Sequence, residues 1–374
     1  MREQAVTDSR HDSRHLPALD GLRGLAALAV VLSHLPRFGL ETIGGKELGH
    51  YGVMIFFVLS GFLMGHLYLQ KRFEPVGVAR YAAARVARVV PIYYATIIAS
   101  FVIYQWFDPN FFFKIEPYDL LRLFLFVGNV SIFWSIGPEF QFYVLFLLLW
   151  WAIDQPEPRR TQLLIGLGAA MLLLLFVQSR IPGILVFAKL HVFLLGVGGA
   201  LLRHHVATRL TDPRLVFALQ AAAVVFLILL LPRGVFGEVF YSYVSPDVEQ
   251  NVYYGDLRRL APIALTVFAL SLNSGWTRLV FANAAMRGLG NASFSIYLLH
   301  VPVIFWMGRA GVFAATGPVV GAFVALAAVF AVGTTSFMLF ERPAQNLLRG
   351  PLANWFARRL AVLPGVRNAP AAGR

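Results

Sequence analysis

Arg23 and His34 are two ionisable residues inside the first apolar segment of the 374-residue chain, at about residues 16–36. They are eleven residues apart, so in an α-helix both side chains project from one face, about 16 Å apart along the axis. Ionisable groups are costly at membrane depth and usually functional there. A guanidinium can bind an anion, and an imidazole can act as a base near neutral pH. The pair therefore predicts a crevice with an anion site at one end and a base at the other.

Both residues also have a purely structural explanation. Arg23 could pair with Asp20, one helical turn away. His34 could hydrogen-bond a backbone carbonyl at the end of the helix. Neither alternative involves a ligand.

Glu139 lies near the start of the fourth apolar segment, which is predicted to cross the membrane in the opposite direction to the first. It therefore enters the membrane from the side that His34 approaches, and the two residues could share a depth. A carboxylate bonded to one imidazole nitrogen raises the basicity of the other nitrogen, as a general base requires. The hypothesis is that Glu139 orients His34; the alternative is a glutamate hydrated at the mouth of the bundle.

Arg85 and Arg88 form a basic cluster at the inner end of the third apolar segment, on the same side as Arg23. Together the three guanidinium groups could hold phosphate groups bidentately. The alternative is that they only enforce topology, as most arginines at such ends do.

Three further basic residues lie within predicted spans. His300 falls in the middle of the ninth, where packing against a backbone carbonyl explains it nearly as well as function. Lys189 and His191 in the sixth are weaker candidates, because Lys189 could extend its ammonium group outward to the interface.

The elements that would position these residues are membrane helices. The chain is 58% hydrophobic and only 14% charged, and about 20 apolar residues cross a bilayer as a helix. We predict ten spans, near residues 16–36, 51–69, 89–107, 134–153, 161–179, 183–202, 214–231, 258–273, 291–309 and 318–340. The predicted fold class is an all-α integral membrane protein, a polytopic bundle of about ten transmembrane helices.

The charges between the spans set the orientation. With the N-terminus inside, the inner segments carry more than twice as many Lys and Arg residues as the outer ones, which matches the cytoplasmic excess seen in membrane proteins. Residues 120–133 are too short for a comfortable span and are predicted to be re-entrant or interfacial. Both termini are therefore predicted to be cytoplasmic. We divide the chain into an N-terminal segment (1–15), a membrane domain (16–343) and a basic tail (344–374) that lies on the anionic inner leaflet.

Composition excludes several classes of protein. The net charge of +13 is spread over short segments between apolar runs, which argues against nucleic acid as a partner. Cysteine is absent, which excludes disulfides, thiolate metal sites and an S-acyl-enzyme. No metal site and no bound cofactor are predicted. A signal peptide is the rival interpretation of the first segment, but its length and its ionisable residues favour a retained helix.

The longest outer loop, at about residues 232–257, is rich in tyrosine and in acidic residues. Its simpler interpretation is an interfacial aromatic belt with solvated acids. The alternative is a platform for a polar acceptor such as a sugar.

Several segments, taken in order, resemble the acyltransferase-3 family of membrane O-acyltransferases, over about residues 16–343. They are Leu19-Asp20-Gly21-Leu22-Arg23-Gly24 with His34, the string from Gly52 to Phe62, Arg85 with Arg88 and Pro91, Trp134 to Tyr143, Phe294 to His300, and Glu341-Arg342-Pro343. Each alone is a weak signal in an apolar protein, but their order is specific.

This resemblance implies transfer of an acyl group, usually acetyl from acetyl-CoA, to a hydroxyl of a carbohydrate or of a secreted or lipid-linked molecule. It implies catalytic roles for His34 and Glu139. The implied substrate-binding residues, for acyl-CoA or the acceptor, are Arg23, Arg85, Arg88, Asp20, Ser60, Trp134, Ser135, Tyr143 and His300. The expected location is the bacterial inner (plasma) membrane, and the membrane bundle is expected to perform the transfer by itself.

The sequence predicts that acyl-CoA enters from the cytoplasm, with its phosphates near the arginines and its pantetheine arm directed toward His34. Whether His34 acts as a base or carries the acyl group briefly stays open, as do the acceptor, which could be a polysaccharide or a glycosylated small molecule, and a homo-oligomer. The main alternative is a transporter or flippase that moves an anionic or glycolipid cargo without chemistry. An inactive sensor is a third possibility.

Overall fold

The computed structural model describes residues 15–42, 47–229, 254–272 and 274–361, and the regular secondary structure of these residues is entirely helical, without β-strands. The first six α-helices are α1 (Pro17–His34), α2 (Glu47–Tyr68), α3 (Pro75–Val102), α4 (Pro117–Phe124), α5 (Ile136–Ile153) and α6 (Arg159–Val177). The others are α7 (Leu190–Val206), α8 (Pro213–Leu229), α9 (Leu257–Leu270), α10 (Gly275–Val280), α11 (Ala284–Arg309), α12 (Val312–Ser336) and α13 (Arg342–Ala361).

Local sequence explains where several of these helices begin. Pro17 and Pro75 are the first residues of α1 and α3, where a missing N–H costs nothing and the fixed φ already suits a helix. Asn283 caps α11, because its side-chain oxygen accepts a hydrogen bond from the Met286 N–H at 3.0 Å.

Each of the ten predicted spans overlaps a helix, and the chain is a multi-pass membrane protein. Seven helical stretches of the described residues are long and apolar enough to cross a membrane. They are Pro17–Phe38, Leu48–Tyr68, Pro75–Phe107, Ser131–Ile153, Arg159–Val177, Ala284–Arg309 and Val312–Ala361. α7 and α8 are apolar but have 17 residues each, and α9 has 14. The count of ten spans and the cytoplasmic orientation of both termini stay predictions.

The predicted start of the third span was wrong. α3 begins at Pro75, about fourteen residues before the predicted start, so Arg85 and Arg88 lie within the helix and not at its entrance. The first turns of α3 are rich in alanine, which favours a helix, but their arginines make them too polar to be detected as a membrane span by hydropathy. As predicted, residues 120–133 do not form a continuous span, because α4 ends at Phe124 and a 3₁₀-helix begins at Ser131.

The core of the bundle is α1 with α2 on one side and α11 on the other. α2 also packs on α7, and α11 also packs on α12. Backbones approach closely at several glycines; for example, a Cβ at Gly290 would lie 1.9 Å from the Asp20 carbonyl oxygen, and one at Gly61 would lie 1.9 Å from that of Phe193. Small residues at these crossings bring the polar groups of neighbouring helices within reach of one another.

α1 and α11 run in the same direction. Gly290 lies beside Asp20 near the start of α1, and the His300 ring lies beside the His34 ring at its end. α5 runs in the opposite direction to α1. Ser135, just before α5, contacts Tyr297 on α11, whereas Trp150 near the end of α5 donates to the carbonyl of Lys71, which follows α2.

The C-terminal segment is helical and packs on another helix. After α12, a π-helical turn (Phe337–Glu341) leads directly into α13, which packs along α3. The basic segment after residue 343 is thus part of a helix pair as far as Ala361; its contact with the inner leaflet stays a prediction.

Candidate active site

A polar pocket lies inside the bundle, between α1, α2, α3, α5 and α11, and encloses about 670 Å³ of space counted out to its open mouth. It brings together seven of the eleven residues that the sequence predicted for the site: Arg23, Ser60, Arg85, Arg88, Ser135, Glu139 and Tyr143. The predicted residues that do not line it are Asp20, His34, Trp134 and His300.

One face of α2 forms the apolar wall of the pocket. Its lining residues follow helical spacing, and they are Val53, Phe56, Phe57, Ser60, Leu63 and Met64. Ser60 is the polar member of this row and is buried. An apolar wall with one hydroxyl excludes water and leaves a defined point for a hydrogen bond.

Glu139 is held by two hydroxyl groups. Its Oε1 accepts hydrogen bonds from Ser60 Oγ at 2.5 Å and from Tyr143 OH at 2.6 Å. The sequence-based pairing of Glu139 with His34 is therefore wrong: helical periodicity places a side chain on a face, but the packing of α2 against α5 decides which neighbour it meets. Glu139 is the carboxylate of the arginine pocket.

Three guanidinium groups give this pocket an excess of positive charge. Arg23, Arg85 and Arg88 line it together with a single carboxylate, that of Glu139. Arg85 stacks over the Tyr143 ring, 5.6 Å from its centroid, and its buried Nε has no hydrogen-bond acceptor among the described residues. An orphaned donor beside two further cations fits an anionic ligand with several oxygen acceptors, such as a phosphate.

Arg23 also makes the structural contact considered as an alternative. Its Nη1 lies 3.8 Å from Asp20 Oδ1, a long ion pair, and Asp20 Oδ2 lies 2.8 Å from His15 Nε2. Its side chain is 14% exposed, so Asp20 balances part of its charge while its guanidinium stays on the pocket wall.

His34 lies outside the pocket, at the far end of α1. Its Nδ1 is 2.9 Å from the Val30 carbonyl oxygen, which is the structural contact considered as an alternative. A carbonyl only accepts, so Nδ1 carries the proton and Nε2 keeps its lone pair. The Val30 carbonyl therefore fixes the tautomer of His34, which was the role expected of Glu139. Because this contact leaves Nε2 unprotonated, it is compatible with a role of His34 as a base.

Tyr297 connects the pocket to the histidine end. Tyr297 lines the pocket and its hydroxyl contacts Ser135 Oγ at 2.7 Å, while its backbone carbonyl accepts from His300 Nδ1 at 2.6 Å. The rings of His34 and His300 lie 4.8 Å apart. The residues predicted to form one site thus form two adjacent groups, the arginine pocket and the histidine pair, and Tyr297 lies between them.

Sequence reasoning missed three polar residues of the site. Tyr297 and Ser293 line the pocket. Glu341 is buried in the π-helical turn, accepts a hydrogen bond from Ser295 Oγ at 2.5 Å and lies within electrostatic reach of Arg88 and Arg23. The signal was present, because Glu341 is an acid at the end of one apolar segment, and Ser293 and Tyr297 are polar residues within another, on α11.

Trp134 belongs to a different cluster. Its ring lies 5.8 Å from that of Tyr254, and the Lys189 ammonium lies 4.3 Å from the Tyr254 centroid. Lys189 is 0% exposed, so it does not extend outward as the sequence suggested; it precedes α7 and is packed beneath Tyr254. His191 Nε2 donates a hydrogen bond to the Tyr254 carbonyl oxygen at 2.7 Å. Most of the predicted acceptor platform at residues 232–257 lies outside the described residues.

Over the described ranges, no group of three or more histidine or acidic side chains is arranged to hold a metal ion.

The fold and the pocket define a class: a multi-pass helical membrane protein with a cationic cavity inside the bundle and an imidazole pair beside it. The family model for the acyltransferase-3 acyltransferase domain matches residues 16–338, and the chain belongs to this family.

Relatives agree with this assignment. The chain is 26% identical over 371 residues to the peptidoglycan O-acetyltransferase OatA of Listeria monocytogenes, covering 90% of this chain and 57% of that one. It is 26% identical over 321 residues to the putative peptidoglycan O-acetyltransferase YrhL of Bacillus subtilis, covering 78% and 49%. A putative O-acetyltransferase of Staphylococcus aureus is 24% identical, with 78% and 51% covered. The chain thus spans about half the length of these relatives, and no solved structure matches it.

Proposed function

We propose that this protein is a membrane O-acetyltransferase that moves an acetyl group from acetyl-CoA to a hydroxyl of a carbohydrate. The observation that carries the proposal is the arginine pocket joined to a histidine along one face of α1. Membership of the acyltransferase-3 family supports the reaction class, and the peptidoglycan O-acetyltransferases among the relatives support a glycan as acceptor.

The donor is proposed to bind with its phosphates on Arg23, Arg85 and Arg88. Guanidinium groups bind phosphate oxygens bidentately, and the orphaned Nε of Arg85 supplies a donor that needs an acceptor. Arg23 and His34 lie on the same continuous helix, eleven residues or about 16 Å apart, which suits an extended pantetheine arm. The thioester then reaches the histidine end while the charged part of the donor stays with the arginines.

His34 is proposed as the general base. Its Nε2 lone pair takes the proton of the acceptor hydroxyl as that oxygen attacks the thioester carbonyl. The C–S bond breaks, and the leaving thiolate takes the proton back from His34. The products are an acetyl ester and free CoA, and the histidine is restored.

Sidedness completes the proposal. With the N-terminus in the cytoplasm, the arginine pocket opens toward the cytoplasmic donor and His34 lies toward the outer face, where a glycan is available. The bacterial inner membrane is the setting that this arrangement requires.

The experiment is transfer of labelled acetyl groups by the purified protein in nanodiscs, given acetyl-CoA and a glycan oligosaccharide. We expect base-labile label on the oligosaccharide with the wild type and with His205→Ala, an exposed histidine outside the site. His34→Ala should lose at least about 100-fold in rate, the usual contribution of a general base. Transfer at the wild-type rate by His34→Ala would refute the assignment, and uptake of a glycan into vesicles without a change of its mass would favour a transporter.

A further inference from the structure

A second basic cleft, separate from the arginine pocket, lies between the last turns of α2 and α7. The two helices run side by side in the same direction, since Gly61 lies against Phe193 and Gly65, further along α2, lies against Ala200. Both therefore end at the same end of the bundle. The cleft between them encloses about 590 Å³ of space counted out to its open mouth.

The lining of this cleft combines apolar surface with basic groups. Four of its lining residues are small or apolar, with Leu67 and Leu201 the largest, and none is acidic. Lysine and arginine are charged at neutral pH, and imidazoles can donate hydrogen bonds. The basic lining residues are His66, Lys71, Arg203 and His204.

Arg203 is the residue of the cleft that calls for an anion. Its side chain is half-buried, and its Nε donates to the Ser271 carbonyl at 3.2 Å, which orients the guanidinium and leaves its two Nη groups as donors. It forms no ion pair with a carboxylate in the part of the chain that the structure describes. Withdrawing a cation from water is costly unless an anion accompanies it.

Two general effects also place basic residues at this end of the bundle. They complement the partial negative charge at the C-terminal end of a helix, and they accumulate on one side of a membrane. Both effects act on fully exposed side chains, such as those of Arg72 and Arg209, which follow α2 and α7 and do not line the cleft. Neither effect explains a half-buried guanidinium that is held in one orientation.

We propose that the cleft binds the headgroup of an anionic glycerophospholipid. The phosphate oxygens accept hydrogen bonds from Arg203 and Lys71, and the glycerol and the first carbons of the acyl chains pack on the apolar lining. Leu202, next to the cleft, is exposed on the surface of α7, where the chains continue into the bilayer. A free phosphate uses the basic residues alone, whereas a phospholipid uses both parts of the lining. Headgroups lie at both faces of a membrane, so the site does not depend on the predicted orientation.

The experiment is lipid binding by native mass spectrometry of the delipidated protein in detergent. We expect the wild type to bind phosphatidylglycerol about tenfold more tightly than phosphatidylcholine. Arg203→Gln keeps an N–H at the position of Nε for the Ser271 carbonyl and removes the charge, and it should weaken phosphatidylglycerol binding about tenfold. Lys71→Ala should weaken it about fivefold. The matched controls Arg209→Gln and Arg72→Ala should change it less than about twofold.

Several results would overturn the inference. They are equal binding of the two lipids by the wild type, and equal losses in the cleft variants and their controls, which indicate a general effect of surface charge. Displacement of phosphatidylglycerol by an equal concentration of glycerol 3-phosphate would show that the site takes a free phosphate and not a lipid.

Folding is controlled by thermal unfolding of each variant. Phosphatidylglycerol should raise the Tm of the wild type and of Arg209→Gln more than that of Arg203→Gln, because a ligand stabilises the folded state that binds it. An equal rise in all three counts against the site. If Arg203→Gln does not fold, Lys71→Ala decides against Arg72→Ala: a selective loss supports the site, and equal binding overturns it. Neither readout measures acetyl transfer, so the inference stands or falls independently of the proposed function.

Discussion

Replacing Arg85 should weaken binding of the donor through its phosphates while leaving the chemistry intact. Arg85 lies within α3, with its guanidinium over the Tyr143 ring and its Nε without an acceptor. It makes no ion pair among the described residues, because Glu139, the carboxylate on the pocket wall, accepts from Ser60 and Tyr143. Its buried Nε is therefore available to a ligand.

The expected size of the effect follows from the bonds that are lost. A hydrogen bond to a charged group contributes about 1.5–3 kcal/mol, and a bidentate pair to one phosphate about 3 kcal/mol or more. Because every 1.4 kcal/mol is tenfold, Arg85→Ala should raise KM for acetyl-CoA roughly 100-fold. Arg85→Lys keeps the charge but loses the planar fork, so the expected increase is about tenfold. kcat should change little, since His34 is untouched.

A truncated donor shows whether the lost bonds are to phosphates. Acetyl-pantetheine has the thioester and the arm but none of the nucleotide phosphates, so it should react with the same KM in the wild type and in Arg85→Ala. Arg80→Ala is the matched control, an exposed arginine on the same helix that does not line the pocket, and it should change neither donor's KM. An equal rise of KM for both donors in Arg85→Ala would refute the phosphate assignment.

Two further predictions concern the stability of the site and of the bundle. Glu139→Gln replaces two charge-assisted hydrogen bonds by neutral ones, so the free energy of unfolding should fall by about 2 kcal/mol. Tyr143→Phe should cost less stability in the Glu139→Gln background than in the wild type. Additive losses of stability in detergent unfolding would contradict a shared hydrogen bond. Gly290→Ala places a Cβ 1.9 Å from the Asp20 carbonyl oxygen and should lower stability by about 1–3 kcal/mol. Gly288→Ala on the same helix meets no atom within 4 Å and should be neutral or stabilising; equal behaviour of the two in thermal unfolding would show that α1 and α11 are not in close contact.

The positions of the helices could be predicted from the sequence, because apolar length is imposed by the bilayer. The shared face of Arg23 and His34 follows from helical periodicity, and both lie on the single helix α1. The start of α3 could not be predicted in the same way, since its first turns are helical without being apolar. The hydropathy of a segment indicates whether it lies in lipid, and the apolar stretch of α3 begins only near Arg85 and Arg88.

The partners of each side chain could not be predicted. Glu139 and His34 share a plausible depth, but contacts between helices depend on rotation and crossing angle, which a single sequence does not give. Lys189 illustrates the same limit: a lysine near a predicted interface could extend outward, yet tertiary packing places it beneath Tyr254. The family could be predicted correctly from the order of the motifs along the chain, because recognising that order requires no three-dimensional information.

The most direct test of the central claim is to follow one acetyl group from donor to acceptor. Purified wild-type protein in nanodiscs, given acetyl-CoA labelled in the acetyl group and a glycan oligosaccharide, should release free CoA and form one base-labile acetyl ester per CoA released. His34→Ala should slow the formation of both products at least about 100-fold, and His205→Ala should slow neither. Release of CoA without ester formation, or ester formation that does not depend on His34, would contradict the account.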